Sequence, residues 1–162
     1  MDIVTANVRI AAKNDIPVLA ELMREFYAES KLSLDGDWAV RSFDQLLQST
    51  DRYAAWISFR GSDPAGYVVL ATRHSMESGG LDGFVDDLFV RPAFRRCGVG
   101  TSLLTELFRE CSKRGVLAVH VEVGSDNTAV QALCRRFGLS NNGRQLLLNG
   151  EKGRITLNKR IA

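Results

Sequence analysis

Asp86-Asp87-Leu88-Phe89-Val90-Arg91-Pro92-Ala93-Phe94-Arg95-Arg96-Cys97-Gly98-Val99-Gly100-Thr101 is the stretch on which the fold turns. It begins inside an apolar run, residues 84–90, that reads as a strand with two carboxylates in its middle. It then passes Pro92 and two glycines spaced two apart, after which the hydrophobic period changes from strand-like to helical. Leu103, Leu104, Leu107, Phe108 and Cys111 mark one face of that helix, Gly115 is placed to end it, and residues 116–123 are β-rich again. Strand, helix of about four turns and strand in succession make a βαβ unit, whose two strands are normally parallel. The Gly98-Val99-Gly100 turn therefore opens a helix. There the backbone can approach a ligand closely and the N–H groups of the first turn converge on an anion. Arg95 and Arg96 add positive charge suited to a pyrophosphate. Taken alone, G-x-G after a strand is weak, because it also makes an ordinary tight turn. Leu103 stands where G-x-G-x-x-G needs its third glycine, and G-x-x-x-x-G-K-[ST] has no match, so both dinucleotide and P-loop readings are disfavoured.

Working outward, residues 8–11 read as a short strand, followed by a helix with Asn14 as N-cap and Pro17 in its first turn. Leu19, Leu22, Met23 and Phe26 keep the spacing of one buried stripe. A second helix is predicted over residues 38–47, after the turn Asp35-Gly36-Asp37. Strands at 53–59 and 67–71 flank a turn-rich connection at 61–66. Downstream, residues 125–137 predict a helix with Val130, Leu133, Cys134 and Phe137 on its stripe and Gly138 closing it. Residues 144–148 and 154–159 predict a hairpin around Asn149-Gly150-Glu151. With no internal repeat or linker, the 162 residues read as a single domain, 1–162, of mixed α/β architecture.

Composition narrows the class. The chain is 45% hydrophobic and 25% charged with 14 Gly and 3 Pro, which is ordinary globular usage. A formal charge of +2 is too small to imply a nucleic-acid or membrane partner. Cys97, Cys111 and Cys134 form neither a disulfide framework nor a zinc cluster, and no metal constellation surrounds His74 or His120. A reducing cytoplasm is expected: Met1 to Arg9 lack a signal-peptide pattern, and no apolar run approaches the ~18 residues of a membrane span.

The quoted stretch resembles the acetyl-CoA signature of the GNAT N-acetyltransferases, [QR]-x-x-G-x-[GA] preceded by an L-x-V-x-P strand end, position for position. Downstream, Asn127-Thr128-Ala129-Val130-Gln131-Ala132-Leu133-Cys134-Arg135-Arg136-Phe137-Gly138-Leu139 is similar to that family's N-x-x-A-x-x-L-Y-x-x-x-G-F helix, with Val130, Cys134 and Leu139 as departures. The resemblance implies a GNAT-like fold: a central twisted mixed sheet with a splayed strand pair, flanked by about four helices. It implies acetyl-CoA as cosubstrate, without a metal. The pyrophosphate would lie on the N–H groups of Arg96, Gly98, Val99, Gly100 and Thr101 beside Arg95. The pantetheine arm would pair with Leu88 and Val90 between the splayed strands, and Asn127 would bond it from the other side. The alternative for Asn127 is a plain helix N-cap, which Ser125 or Asp126 could equally supply.

Acetyl transfer to an amine needs a neutral nitrogen, an oxyanion donor and a proton for the thiolate. An alkylammonium titrates near ~10.4, so a carboxylate must take its proton, directly or through water. Asp86 matches the base of polyamine acetyltransferases, which carry an adjacent acidic pair on this strand, and Glu122 falls where ribosomal-type N-terminal acetyltransferases carry theirs. The two rank equally, with Asp87 and Tyr27 as acceptor contacts. Cys134 stands at the position of the usual proton-donating tyrosine, although its place on an apolar stripe suits a buried structural thiol. The oxyanion would meet a strand N–H near Leu88.

From Asn14 to Asp37 six acids face two bases, whereas from Arg91 to Arg136 eight bases face four acids. The acidic segment, in this family beside the acceptor, would attract a cationic amine. Glu21, Glu25 and Glu29 also follow the spacing of a solvated helix face. The expected activity is N-acetylation of a small cationic amine, polyamine or diamine-like, in a ternary complex. The alternatives are a protein N-terminal or lysine acetyltransferase and a non-catalytic acyl-CoA-binding module. Acetyl-CoA and the amine are the expected partners, with a homodimer left open.

Overall fold

The computed structural model describes residues 6–146 and 154–161. Among them, seven strands form one sheet: β1 (Asn7–Ile10), β2 (Tyr53–Arg60), β3 (Asp63–Ser75), β4 (Gly80–Val90), β5 (Ala118–Gly124), β6 (Ser140–Leu146) and β7 (Arg154–Arg160). Their order is β1-β2-β3-β4-β5-β7-β6. The helices are α1 (Ile16–Glu29), α2 (Trp38–Gln48), α3 (Val99–Lys113) and α4 (Thr128–Arg136). Strand β1 is antiparallel to β2, and β7 is antiparallel to both β5 and β6, whereas β4 and β5 are parallel. The sheet is thus mixed, and β4-α3-β5 is the βαβ unit that the change of period predicts. The last hairpin places β7, not β6, against β5. Its expected turn, Asn149-Gly150-Glu151, lies outside the described residues, as do 147 and 148.

The chain gathers into two compact units, Met1–Leu70 with Asp87–Phe108, and Ala71–Asp86 with Arg109–Ala162. In the first, Leu19, Leu22 and Met23 of α1 and Phe43 of α2 pack with Ile57 of β2, Tyr67 and Val69 of β3, and Phe89 of β4. Each such side chain contributes about 1.5–3 kcal/mol by leaving water. The predicted α1 stripe holds, with Phe26 at its rim, stacked 5.4 Å from Phe89. The cap differs. Asn14 lies inside a short 3-10 turn, Lys13–Asp15, and Asp15 is the residue at the helix boundary. Its carboxylate accepts from the Ala12 N–H at 2.8 Å and from both terminal nitrogens of Arg9 at 2.8 Å. That charged fork, available only once β1 is in place, outbids the neutral amide of Asn14.

Strand β3 begins earlier than predicted, so Pro64 and Gly66 are strand residues and the connection shrinks to residues 61–62. The reason is the close approach of β4. The Arg91 N–H donates to Ala65 O at 2.8 Å, Arg91 Nη1 donates to Pro64 O at 3.0 Å, and a Cβ on Gly66 would overlap Phe89 O.

In the second unit, Val119, Val121 and Val123 of β5 are buried and alternate with His120 and Glu122 on the other face. Strand β4 pairs with β5 from Asp82↔Ala118 to Val85↔Val121, after which each strand runs on past the last shared pair. Helix α4 is shorter than predicted because Asn127 takes the cap, its Oδ1 accepting from the Val130 N–H at 3.2 Å. Its buried residues are Cys134 and Gln131. Gln131 is polar and escaped the apolar pattern; its Nε2 donates to Gly124 O at 3.0 Å and Ser125 O at 3.2 Å, tying α4 to the end of β5.

Candidate active site

In the first unit, β4 ends at Val90 and a 3-10 turn, Pro92–Phe94, leads into residues 95–98 and the start of α3. Arg96 and Gly98 both have left-handed backbone, φ 63° and 80°. Such residues, set between right-handed or extended neighbours, turn successive N–H groups toward one concave side, which suits an anion. Gly98 is required by its φ and not by crowding, since nothing lies within 4 Å of where a Cβ would be. The N–H groups of Val99, Gly100 and Thr101 have no acceptor within a helix that starts there, whereas that of Ser102 already bonds Gly98 O at 3.0 Å. Val99 is buried and anchors the turn, and Arg60 of β2 pins it by donating to Cys97 O. Nothing local in the sequence signals Arg60, which lies 37 residues away.

Arg95, expected beside the phosphates, is engaged by α1 and the end of β4. Its Nη2 meets both carboxylate oxygens of Glu29 at 2.7 Å, and its Nε donates to Val90 O at 2.9 Å. Arg91 likewise bonds Glu25 at 2.7 and 2.9 Å and Glu21 at 3.1 Å. The row of α1 glutamates is therefore more than a solvated face: it holds the end of β4 and the entry to the turn.

Of the acceptor candidates, Asp87 accepts from the hydroxyl of fully buried Tyr67 at 2.9 Å and lies 3.5 Å from the hydroxyl of Tyr27. Tyr27 in turn meets half-exposed Trp38 edge-on, with centroids 6.5 Å apart. Sequence reasoning missed Tyr67 as a partner, although a tyrosine in an apolar strand is a sign that a buried hydroxyl needs an acceptor. Leu88 and Val90 are half-buried on the same strand.

The second unit holds the other candidates. Asp86 and Glu122 each lie one residue beyond the last β4–β5 pair, and alternation sets them on one face. The side chain of Asp86 reaches solvent, yet the protein packed around it desolvates the carboxyl and pushes it above the ordinary carboxylate range. Glu122 is exposed. On the same face, one step back, His120 lies 2.8 Å from Asp82. Asn127 caps α4 through its Oδ1, which leaves its amide N–H groups for another partner. Cys134 is fully buried, and burial pushes its thiol up to about 11.

A strand that leads through a left-handed turn into a helix with bare N–H groups is thus present where the sequence pattern lies. The profile of the Acetyltransferase (GNAT) family matches residues 18–139. The chain belongs to the GNAT acetyltransferase family. It is accordingly an acetyl-CoA-dependent N-acetyltransferase, with acetyl-CoA as cosubstrate. Among similar solved structures is the integron cassette protein HFX_CASS3 from the mobile metagenome of Cole Harbour Salt Marsh, 40% identical over 90% of each chain with a TM-score of 0.79. AAC(6')-Iy, in complex with the bisubstrate analogue CoA-S-monomethyl-acetylneamine, is 19% identical, with 91% of this GNAT chain and 99% of that one covered and a TM-score of 0.79. The aminoglycoside acetyltransferase meta-AAC0020 from an uncultured soil metagenomic sample, in complex with sisomicin, is 17% identical over 91% and 95% of the two chains, with a TM-score of 0.69. At these identities the last two share the fold. No curated protein sequence matches the chain.

Proposed function

We propose that this enzyme acetylates a primary amine on a small polycation, by direct attack of the amine on acetyl-CoA in a ternary complex, residues 1–162 acting as one catalytic domain. The observation that carries the reading is the turn at residues 95–101, with Arg96 and Gly98 left-handed and bare helix N–H groups behind them. The backbone N–H groups of Arg96, Gly98, Val99, Gly100 and Thr101 hold the pyrophosphate. Arg95 serves by fixing the entry to that turn through Glu29. Leu88 and Val90 offer strand groups to the pantetheine arm, and Asn127 offers its amide N–H.

Asp86 is the base. A carboxyl pushed up by desolvation is a better proton acceptor than an ordinary one, which narrows its distance from an ammonium near ~10.4. Asp87, oriented by Tyr67, binds the acceptor with Tyr27, and Glu122 adds negative charge. The strand N–H near Leu88 meets the oxyanion. Cys134, fully buried, is assigned to the packing of α4, and the thiolate takes its proton from water. Three carboxylates suit a polycation better than a neutral amine. Two proteins of this fold are crystallised with aminoglycosides or their analogues, which are themselves polycations. Free thiols at Cys97, Cys111 and Cys134 suit a cytoplasmic enzyme.

Thiol release from acetyl-CoA is the test, with a panel of diamines, polyamines, aminoglycosides and peptides. Turnover with the small polycations supports the reading; turnover with peptides alone moves the acceptor to a protein N-terminus or lysine. Gly100→Asp puts a side chain and a negative charge into the anion cradle. It is expected to weaken CoA binding at least ~100-fold by calorimetry, the loss of more than one charge-assisted bond, with an unchanged circular dichroism spectrum. Retained affinity in that variant removes the cradle.

A further inference from the structure

The second unit contains a carboxylate–imidazole pair to which the chemistry above gives no role. Asp82 of β4 is 3% exposed, and its Oδ2 lies 2.8 Å from Nε2 of His120 on β5. Its Oδ1 is buried as well. Burial alone would push this carboxyl up, but Ser78, His120 and Ser75 beside it outweigh that, and it lies below the ordinary range. Asp82 is therefore ionised at neutral pH. A carboxylate at that distance accepts the Nε2–H of a neutral imidazole, which leaves Nδ1 as the open acceptor.

The ring plane is fixed as well. Phe84, the register partner of His120, stacks on it at 4.9 Å and 20°, and the Arg73 guanidinium lies 4.9 Å from the Phe84 centroid. A buried carboxylate held beside an oriented histidine is costly unless compensated, and packing needs neither charge. Placement along the strands supplies a reason. Asp82, Phe84 and Asp86 follow one another on one face of β4, and His120 and Glu122 do so on β5. The imidazole is thus one pleat, ~7 Å, from the position of Glu122 along β5 and diagonally across from that of Asp86 on β4, a span that a short chain of waters bridges. Its side chain is 20% exposed, so solvent reaches it.

We propose that His120, oriented by Asp82, is the positioning residue that takes the amine's proton onward from Asp86 and releases it to solvent; this rests on the acetyl-transfer reading above. The ammonium gives one proton to the Asp86 carboxylate, the freed nitrogen forms the bond to the thioester carbon as the C–S bond breaks, and the second N–H proton of the acylated nitrogen passes through water to the leaving thiolate, giving the amide and the free thiol. The Asp86 carboxyl passes the proton through water to Nδ1, the imidazolium stands against the Asp82 carboxylate, and Nδ1 returns the proton to bulk water. The charged groups placed around the ring include Asp82 and Asp86 from β4, Arg73 from β3 across Phe84, Glu122 on β5 itself and Arg160 of β7, one pleat along from neutral Asn158, which is in register with His120.

The experiment is the pH profile of kcat for the wild type and His120→Gln, with the amine that the wild type turns over. Glutamine keeps an N–H for Asp82 but cannot accept and release a proton. Turnover is expected to fall ~10-fold or more at pH 7, the lower range of an acid–base effect, with the deficit closing above pH 9. Free imidazole should restore part of the pH 7 rate, and the affinity for CoA should not move. Asp82→Asn, which favours the wrong tautomer, should give the same pH-dependent deficit and serves if the glutamine variant folds poorly. A profile parallel to that of the wild type in either folded variant, whatever the size of the loss, overturns the relay alone. A wild type that turns over no amine overturns the acetyl-transfer reading and the relay with it.

Discussion

What sets the Asp86 carboxyl apart is what surrounds it, because an aspartate in a strand carries no mark of its own acidity in the sequence. Desolvation raises its carboxyl, and the sign of the consequence for folding follows. A carboxyl raised in the folded state withdraws stability as pH climbs through its folded value. Asp86→Asn should therefore cut turnover ~100-fold or more, in the range for loss of a general base, without lowering Tm at pH 7. Any gain in Tm should vanish below about pH 4, where the native carboxyl is neutral as well. Scanning calorimetry beside the thiol-release assay checks both halves, and a clear loss of Tm at pH 7 would instead make Asp86 a structural residue. At this scale the sequence named the candidate carboxylates but not their partners. Asp87 has Tyr67 from 20 residues away, and His120 has Asp82 from 38 away. Spacing along a chain does not encode such pairs.

Elements were more legible. The change of period at Val99 is a local signal, and β4-α3-β5 forms as that signal implies, with its strands parallel. Gly115 ends α3 in a left-handed conformation, φ 69°, with the Val116 N–H on Cys111 O at 3.0 Å. Boundaries failed where a neighbouring element intervened. Residues 61–66 have turn composition, yet Pro64 and Gly66 belong to β3 because β4 lies against them. Gly66→Ala tests this: its methyl would meet backbone, the Phe89 carbonyl, which cannot step aside as a side chain can. The variant should lose about 1–3 kcal/mol, the usual cost of overpacking, read as a lower urea midpoint with an unchanged slope. A neutral effect would mean that β3 and β4 separate readily there. The α1 glutamates make the same point: the i, i+4 row was legible, and its role in gripping Arg91 and Arg95 was not.

For the molecule as a whole, acid stability should follow the carboxylates held in their charged form. The Arg9 fork, aided by the Ala12 N–H, outweighs burial and holds the Asp15 carboxyl below the ordinary range. A depressed carboxyl contributes stability that is present above its unfolded value, near ~3.9, and lost as pH falls through its folded value. Arg9 is half-exposed, which discounts the pair to about 1–2 kcal/mol. Asp15→Asn should thus lower Tm by ~2–6 °C at pH 7, with the deficit closing below pH 4; an equal deficit at pH 3 would assign it to packing instead. By itself the amino-acid order settled the mixed α/β class, the parallel βαβ unit and the glycine turn, because hydrophobic period and left-handed backbone are decided within a few residues. Which arginine grips which glutamate, which carboxyl is desolvated and which histidine is oriented were decided only by the tertiary structure. Those are contacts between residues far apart in the chain, and their energies depend on burial and distance, which exist only once the sheet has formed.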